Sequence, residues 1–428
     1  MKKLHGTTTR DYRNPYRPRL VKAANAAGRG WWRLLSREYG RDITAEELLE
    51  KAARKEGLED FGSPDFSEPL EVLLDSINGE SRLTPFGKMV TRSRLTGVLR
   101  NRLRAQYWFT GHPEILDIQL PEILVITGFQ RTGTTMLHRL LASDPDTRAL
   151  SSWEALNPAP YIDRRSGGVV EGDPEPRLKS AEMSEKALGY LSPDFFAVHP
   201  VEAEAPEEDV LLLDSAFLST VPEATLRVPT YSRWLEVQDQ TPAYRYMELL
   251  LKLLLWRRPR KRWVLKTPHH MEFLEALFAV FPQAKIIHTH RDPCITLASF
   301  ASMISHGRGV FSDEVDPVEV GRDWTRKIHR MMLRSIKFRK ENPDIPFIDV
   351  YYEDLLEDPM DQIERIYDFV GIDLTDEARE RMEAARRVNR QYRYGRHEYR
   401  LEDFGLTREG VRREFEPYYE RYLVGARV

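Results

Sequence analysis

The chain has 428 residues, 41% of them hydrophobic and 31% charged, and a net charge of −3. That composition supplies a large core, and its slightly acidic balance excludes the global basic field of a nucleic-acid binder. One cysteine, Cys294, excludes an internal disulfide. Residues 1–40 are rich in arginine and aromatic residues and show little periodicity. The first residues, Met1-Lys2-Lys3-Leu4, are basic but lack the apolar run of a signal peptide, and no stretch reaches the ~20 apolar residues of a membrane span. A cytoplasmic protein with no transmembrane segment is therefore expected.

Residues 42–118 read as helices. Thr44 is placed as an N-cap, with Glu47 three residues on. Leu70, Val72, Leu73, Leu74 and Ile77 give a second apolar face. Met89 to Leu103 gives a third, ending in a stripe of arginines that includes Arg92, Arg94, Arg100, Arg102 and Arg104. From residue 119 the pattern changes. Short apolar runs at 123–127, 262–266, 285–289 and 347–352 alternate with helical segments near 134–143, 241–257, 270–280, 293–305, 315–341 and 357–370. This alternation predicts an α/β fold with a mostly parallel sheet flanked by helices. The expected division is an N-terminal helical subdomain, residues 1–118, beside an α/β domain, residues 119–428, with a C-terminal closing segment. Residues 163–178 read as an exposed loop.

The run Thr127-Gly128-Phe129-Gln130-Arg131-Thr132-Gly133-Thr134-Thr135-Met136 links the first strand to a helix. Its glycine spacing is that of a phosphate-binding, P-loop-like turn, whose backbone N–H groups and helix dipole favour an anion. Nucleotide triphosphatases carry lysine where this chain has Thr134. The expected ligand is therefore phosphorylated but is not an ordinary triphosphate. Gly128, Lys266, Arg291 and Tyr352 all fall at strand C-terminal ends, the edge at which such sheets bind ligands.

Arg131-Thr132-Gly133-Thr134-Thr135 resembles the 5′-phosphosulfate loop of sulfotransferases that use 3′-phosphoadenosine 5′-phosphosulfate (PAPS). His290-Arg291-Asp292-Pro293 with Ser299 resembles their 3′-phosphate site. Val264-Leu265-Lys266-Thr267-Pro268 resembles the strand end that supplies a lysine near the scissile bond. Tyr351-Tyr352-Glu353-Asp354-Leu355 resembles a later strand-end segment, and Tyr399 to Leu406 resembles the tail of a bacterial branch. The resemblance spans residues 55 to 425 and extends to tyrosylprotein-type relatives.

It implies a nucleotide site made of Arg131, Thr132, Gly133, Thr134, Thr135, Met136, Arg291, Ser299 and Tyr352. Gly395-Arg396-His397, and Arg396 above all, would close that site. PAPS would be the co-substrate. A sulfuryl group carries less charge than a γ-phosphoryl group, so no metal is expected. Lys266 would stabilise the leaving oxygen. A hydroxyl acceptor needs a base, and the family uses His or Glu. The two positions that fit are Glu154, near the distance from the loop arginine seen in tyrosine-directed relatives, and His199. Glu207 and Glu208 read instead as carboxylates favouring the next helix start.

The expected partner is a small-molecule or lipid-like hydroxyl acceptor, with no nucleic acid; a homo-oligomer is open. Phe195, Phe196, Phe217, Trp234, Trp31 and Trp32 permit an apolar acceptor, and core packing explains the same residues as well. Two other readings stay open. One is a small-molecule kinase on the same fold, which would need a loop lysine and an acidic magnesium ligand. The other is a nucleotide-binding protein without transfer activity. A serine hydrolase lacks its G-x-S-x-G elbow.

Overall fold

In the computed structural model, residues 8–30, 42–172, 175–388 and 397–423 are described. Five strands form one parallel sheet in the order β2-β3-β1-β4-β5. They are β1 Glu122–Gly128, β2 Thr147–Ala149, β3 Arg262–Lys266, β4 Lys285–His290 and β5 Phe347–Tyr351. Four of these are the expected runs. β2 is three residues long, carries an arginine, and has no apolar run to reveal it.

The strands read as continuous apolar runs because both faces of the sheet are covered. Alternate residues go to opposite layers. Leu124, Ile126, Val264, Ile287 and Val350 pack with Leu137, Leu141, Ile363 and Ile366 on one face. Ile123, Val125, Trp263, Leu265 and Ile286 join a larger cluster on the other. That larger cluster also holds Leu48, Leu73, Leu99, Leu103 and Trp108, so one core is continuous across residues 118 and 119.

The first helices form where their caps allow. Ala45–Glu56 starts where the Thr44 hydroxyl accepts from Glu47 N–H and stops at Gly57, which is left-handed with φ 68°. Pro85–Gly111 starts with proline in its first turn and Thr84 as its N-cap. The arginine stripe on this helix turns inward. Arg92, Arg102 and Arg104 are buried. Arg104 and Arg100 share Glu56 at 2.7 and 2.6 Å, Arg94 pairs with Asp214, and Arg102 donates to the Ser215 and Ser63 carbonyls.

Residues near the two ends of the chain meet on the α/β unit. Arg10 grips Asp403 with both arms of its guanidinium, and the Thr8 hydroxyl accepts from Glu398 N–H. Tyr12 OH donates to Ser302 Oγ at 2.9 Å, and Ser302 Oγ lies 2.8 Å from His397 Nε2. Among the described residues no helix is long and apolar enough to cross a membrane.

Candidate active site

β1 ends in a turn that only particular residues can make. A Cβ on Gly128 would lie 2.4 Å from the Thr289 carbonyl oxygen of the neighbouring strand. Gly133 has φ 88°, and a Cβ there would lie 2.9 Å from the Tyr352 ring. Arg131 itself is left-handed, φ 71°, a conformation that costs a non-glycine residue on the order of 1 kcal/mol. Its carbonyl accepts from Arg291 Nη1 at 3.0 Å. The helix Thr134–Leu141 then begins at Gly133 with no side-chain cap, which leaves its first N–H groups for an incoming anion.

The loop residues divide into two kinds. The Thr132 hydroxyl is fully buried and spent inside the loop, on the Phe129 carbonyl at 2.7 Å and Thr289 Oγ1 at 2.6 Å. The Met136 side chain packs against the core. These two hold the loop's shape. Arg131, the backbone around Gly133, Thr134 and the exposed Thr135 remain for a ligand.

β4 brings the second half. Ser299 lies in the helix Pro293–Phe311, and its hydroxyl accepts from Arg131 Nε at 3.2 Å. The Arg291 guanidinium lies 3.8 Å above the Tyr352 ring, and its Nε is buried with no partner. Residues from the ends of β1, β4 and β5 therefore converge: Arg131, Arg291, Ser299 and Tyr352. Among the described residues neither Arg131 nor Arg291 has a carboxylate within ion-pairing distance. Guanidinium groups without a carboxylate counter-ion are suited to an anion.

β3 brings the third part. Lys266 pairs in register with Ile126 of β1 and is only 2% exposed. Its ammonium donates to Glu208 Oε1 at 2.7 Å, and its N–H donates to Asp209 Oδ1 at 2.9 Å. Thr267 Oγ1 donates to Glu208 Oε2 at 3.3 Å. The Thr267 carbonyl accepts from the Thr127 hydroxyl at 3.1 Å, which ties this strand end to the phosphate loop.

The two expected bases fare differently. His199 adjoins Val198, whose carbonyl accepts from Arg131 Nη1 at 3.3 Å. Burial lowers the His199 imidazole below its ordinary range against the opposing pull of Glu207 and Glu208, while the charges of Lys266 and Arg131 lower it further. A lowered value favours the neutral imidazole. Glu154 is elsewhere engaged. It completes a capping box with Ser151 at the start of Ser152–Leu156 and takes a two-armed ion pair from Arg148, at 2.5 and 3.0 Å. Burial raises its carboxyl, but the Arg148 charge and hydrogen bonds outweigh that and leave it below the usual carboxylate range. A carboxylate so held is a poor proton acceptor. Glu154→Gln is expected to lower unfolding free energy by about 3 kcal/mol, because it leaves Arg148 buried without its charge partner. Nucleotide affinity should stay unchanged; denaturant titration and calorimetry measure the two. The stabilisation is present above the unfolded carboxyl value of about 4.3 and is lost as pH falls through the lower folded one.

Sequence reasoning missed Glu208 and Asp209. The helix that Glu207 and Glu208 were expected to favour, Val210–Leu213, is a single turn, and the Glu208 and Asp209 carboxylates both accept from Lys266. The available signal was an acidic pair placed directly before four apolar residues. Arg396, Trp31 and Trp32 lie outside the described residues. One further cluster, His288, His290 and Asp349, has potential metal-ligating atoms within 4.8 Å of one another. Arg339 already supplies the positive charge there, gripping Asp349 at 2.6 and 3.0 Å.

Positive charge gathered at the carboxyl edge of a parallel sheet, beside a glycine-bearing turn, defines a P-loop-like α/β protein. The model of the Sulfotransferase family matches residues 121–376, and the chain belongs to that family. Sulfotransferase STF1 of Mycobacterium tuberculosis H37Rv superposes with a TM-score of 0.77 at 34% identity, covering 88% of this chain and 99% of that one. STF9 of Mycobacterium avium gives 0.77 at 28% identity, covering 89% and 96%. The omega-hydroxy-beta-dihydromenaquinone-9 sulfotransferase Stf3 of Mycobacterium bovis is 26% identical over 264 residues, which are 58% of this chain and 62% of that protein. The match thus spans less than two thirds of that relative's length.

Proposed function

We propose that this protein transfers the sulfuryl group of PAPS to a hydroxyl of an apolar, lipid-like acceptor. The observation that carries the reading is the unpaired couple Arg131 and Arg291, joined through the Arg131 carbonyl beside an uncapped helix start. In this reading Arg291 and Ser299 hold the 3′-phosphate. The loop N–H groups, Arg131, Thr134 and Thr135 hold the 5′-phosphosulfate.

Sulfuryl transfer is mainly positioning and charge stabilisation, like phosphoryl transfer. As the S–O bond to the nucleotide breaks, negative charge grows on the 5′-phosphate oxygen. The helix start opposes it without reorganising, and Lys266 opposes it once its ammonium turns from Glu208 to the leaving oxygen. His199 takes the proton of the acceptor hydroxyl, and the products are a sulfate ester and adenosine 3′,5′-bisphosphate. Phe195, whose ring lies 5.9 Å from that of His199, offers apolar surface to the acceptor. The named acceptor of the Stf3 relative, an omega-hydroxylated menaquinone, supports a lipid-like substrate.

A second reading of the base is Glu208, favoured by its 2.7 Å bond to Lys266. If the lysine turns to the leaving oxygen, that carboxylate is released. His199→Ala should lower kcat by about 10²–10⁴-fold with bisphosphate affinity retained. Should His199→Ala keep near-full turnover while Glu208→Gln loses it, the proton goes to Glu208.

Calorimetric titration with adenosine 3′,5′-bisphosphate against magnesium-ATP tests the whole reading. Micromolar or tighter binding of the bisphosphate with weak ATP binding is expected. A preference for magnesium-ATP would overturn the sulfotransferase reading in favour of a kinase.

A further inference from the structure

Behind Lys266 runs a chain of buried polar groups that the transfer step does not touch. Asp209, His270 and Tyr244 are each wholly buried, and Tyr244 belongs to the large core cluster with Leu212, Leu213, Met247, Leu251 and Phe273. They come from three places: the residue before the short helix Val210–Leu213, the turn Pro268–Glu272, and the helix Thr241–Arg257. Asp209 Oδ1 accepts from Lys266 N–H at 2.9 Å. Asp209 Oδ2 lies 2.7 Å from His270 Nε2, and His270 Nδ1 lies 2.7 Å from Tyr244 OH.

Every position in the chain has one use. The carboxylate accepts twice, so His270 Nε2 carries the hydrogen. His270 Nδ1 is then free to accept from the tyrosine hydroxyl, which selects that tautomer. Fold stability alone gives no reason for such a chain. Burying a charged carboxylate is expensive, and apolar residues of similar volume often serve stability as well or better. What the chain does secure is orientation. Adjacent carboxylates hold both ends of one lysine: Asp209 its peptide N–H and Glu208 its ammonium.

We propose that Asp209, His270 and Tyr244 form a positioning relay that fixes Lys266 and Glu208 for the transfer step. This rests on the sulfotransferase reading above. None of the three touches the reacting atoms; they act through Lys266. The peptide N–H bond fixes the origin of the lysine side chain, and the backbone of Asp209 fixes the origin of Glu208. Displacing a reacting group by about 1 Å costs on the order of 10²-fold in rate, so a device acting on the origin of a side chain is felt at its tip.

The test compares wild type, Asp209→Asn and Tyr244→Phe. Three quantities are measured: thermal midpoint, bisphosphate affinity by calorimetry, and release of adenosine 3′,5′-bisphosphate from PAPS with 4-nitrophenol or water as the probe acceptor. The expected result is a drop in kcat of about 10²-fold for Asp209→Asn and about tenfold for Tyr244→Phe, with KM for PAPS and bisphosphate affinity unchanged. Tyr244→Phe removes one hydroxyl, so it keeps the test open if Asp209→Asn does not fold. Wild-type turnover in folded Tyr244→Phe would overturn the relay. So would a loss of kcat accompanied by equal losses of affinity and thermal midpoint, which marks a merely structural role. Wild-type protein that binds no bisphosphate and releases none from PAPS would sink the sulfotransferase reading, and the relay with it.

Discussion

Lys266→Met should remain folded, bind adenosine 3′,5′-bisphosphate within a few-fold of wild type, and lose about 10²–10³-fold in kcat. The magnitude is that of removing one preorganised donor from the place where charge develops. Methionine keeps most of the lysine's volume at a position only 2% exposed, so the strand end should still pack. The change deletes the ammonium and leaves Glu208 without its 2.7 Å partner. Glu208 has 26% of its side chain exposed, so water can solvate it and limit the cost to the fold. Parallel calorimetry and PAPS turnover separate the two effects. A variant with wild-type turnover would remove Lys266 from the mechanism. One that binds no bisphosphate would make it a ground-state ligand.

Arg291→Ala should weaken adenosine 3′,5′-bisphosphate by about 10–100-fold and leave adenosine 5′-phosphate nearly unchanged. A hydrogen bond to a charged group is worth about 1.5–3 kcal/mol, which converts to that range. The asymmetry between the two nucleotides is the informative part. Arg291 also holds the Arg131 carbonyl and covers the Tyr352 ring, so its loss could loosen the whole loop. A loosened loop would weaken both nucleotides alike, whereas a lost 3′-phosphate contact weakens only the bisphosphate. Equal losses would therefore deny Arg291 the 3′-phosphate. Arg291→Lys should recover part of the affinity, since it restores charge but not the planar fork.

Much of the molecule was legible before folding was considered. β1, β3, β4 and β5 declare themselves as apolar runs because a parallel sheet covered on both faces draws apolar residues of both alternating sets into the core. β2 was invisible, since a three-residue edge strand depends on its neighbour β3 more than on its own side chains. The phosphate loop was legible because its glycines meet backbone requirements that are local: Gly133 must be left-handed, and Gly128 must lie against Thr289. The pairing of Arg131 with Ser299 was not legible, because 168 residues separate them and only the sheet order puts β1 beside β4.

The base shows the division most plainly. Glu154 and His199 were both candidates, with Glu154 placed slightly ahead by its spacing from the loop arginine, and spacing carries no information about who else claims a carboxylate. Arg148 lies six residues before Glu154, but whether the two side chains meet depends on how β2 and the turn after it pack. The tertiary structure spends Glu154 on a cap and an ion pair. It brings Glu208 and Asp209 to Lys266 across 58 and 57 residues. By itself, then, the sequence determined the strand–helix alternation, the phosphate loop and the strand ends that could bear a site, since these rest on local periodicity and backbone conformation. Which charges are paired, and which remain free to bind a ligand, only the tertiary structure decided, because pairing is a matter of distance in space between groups far apart in the chain.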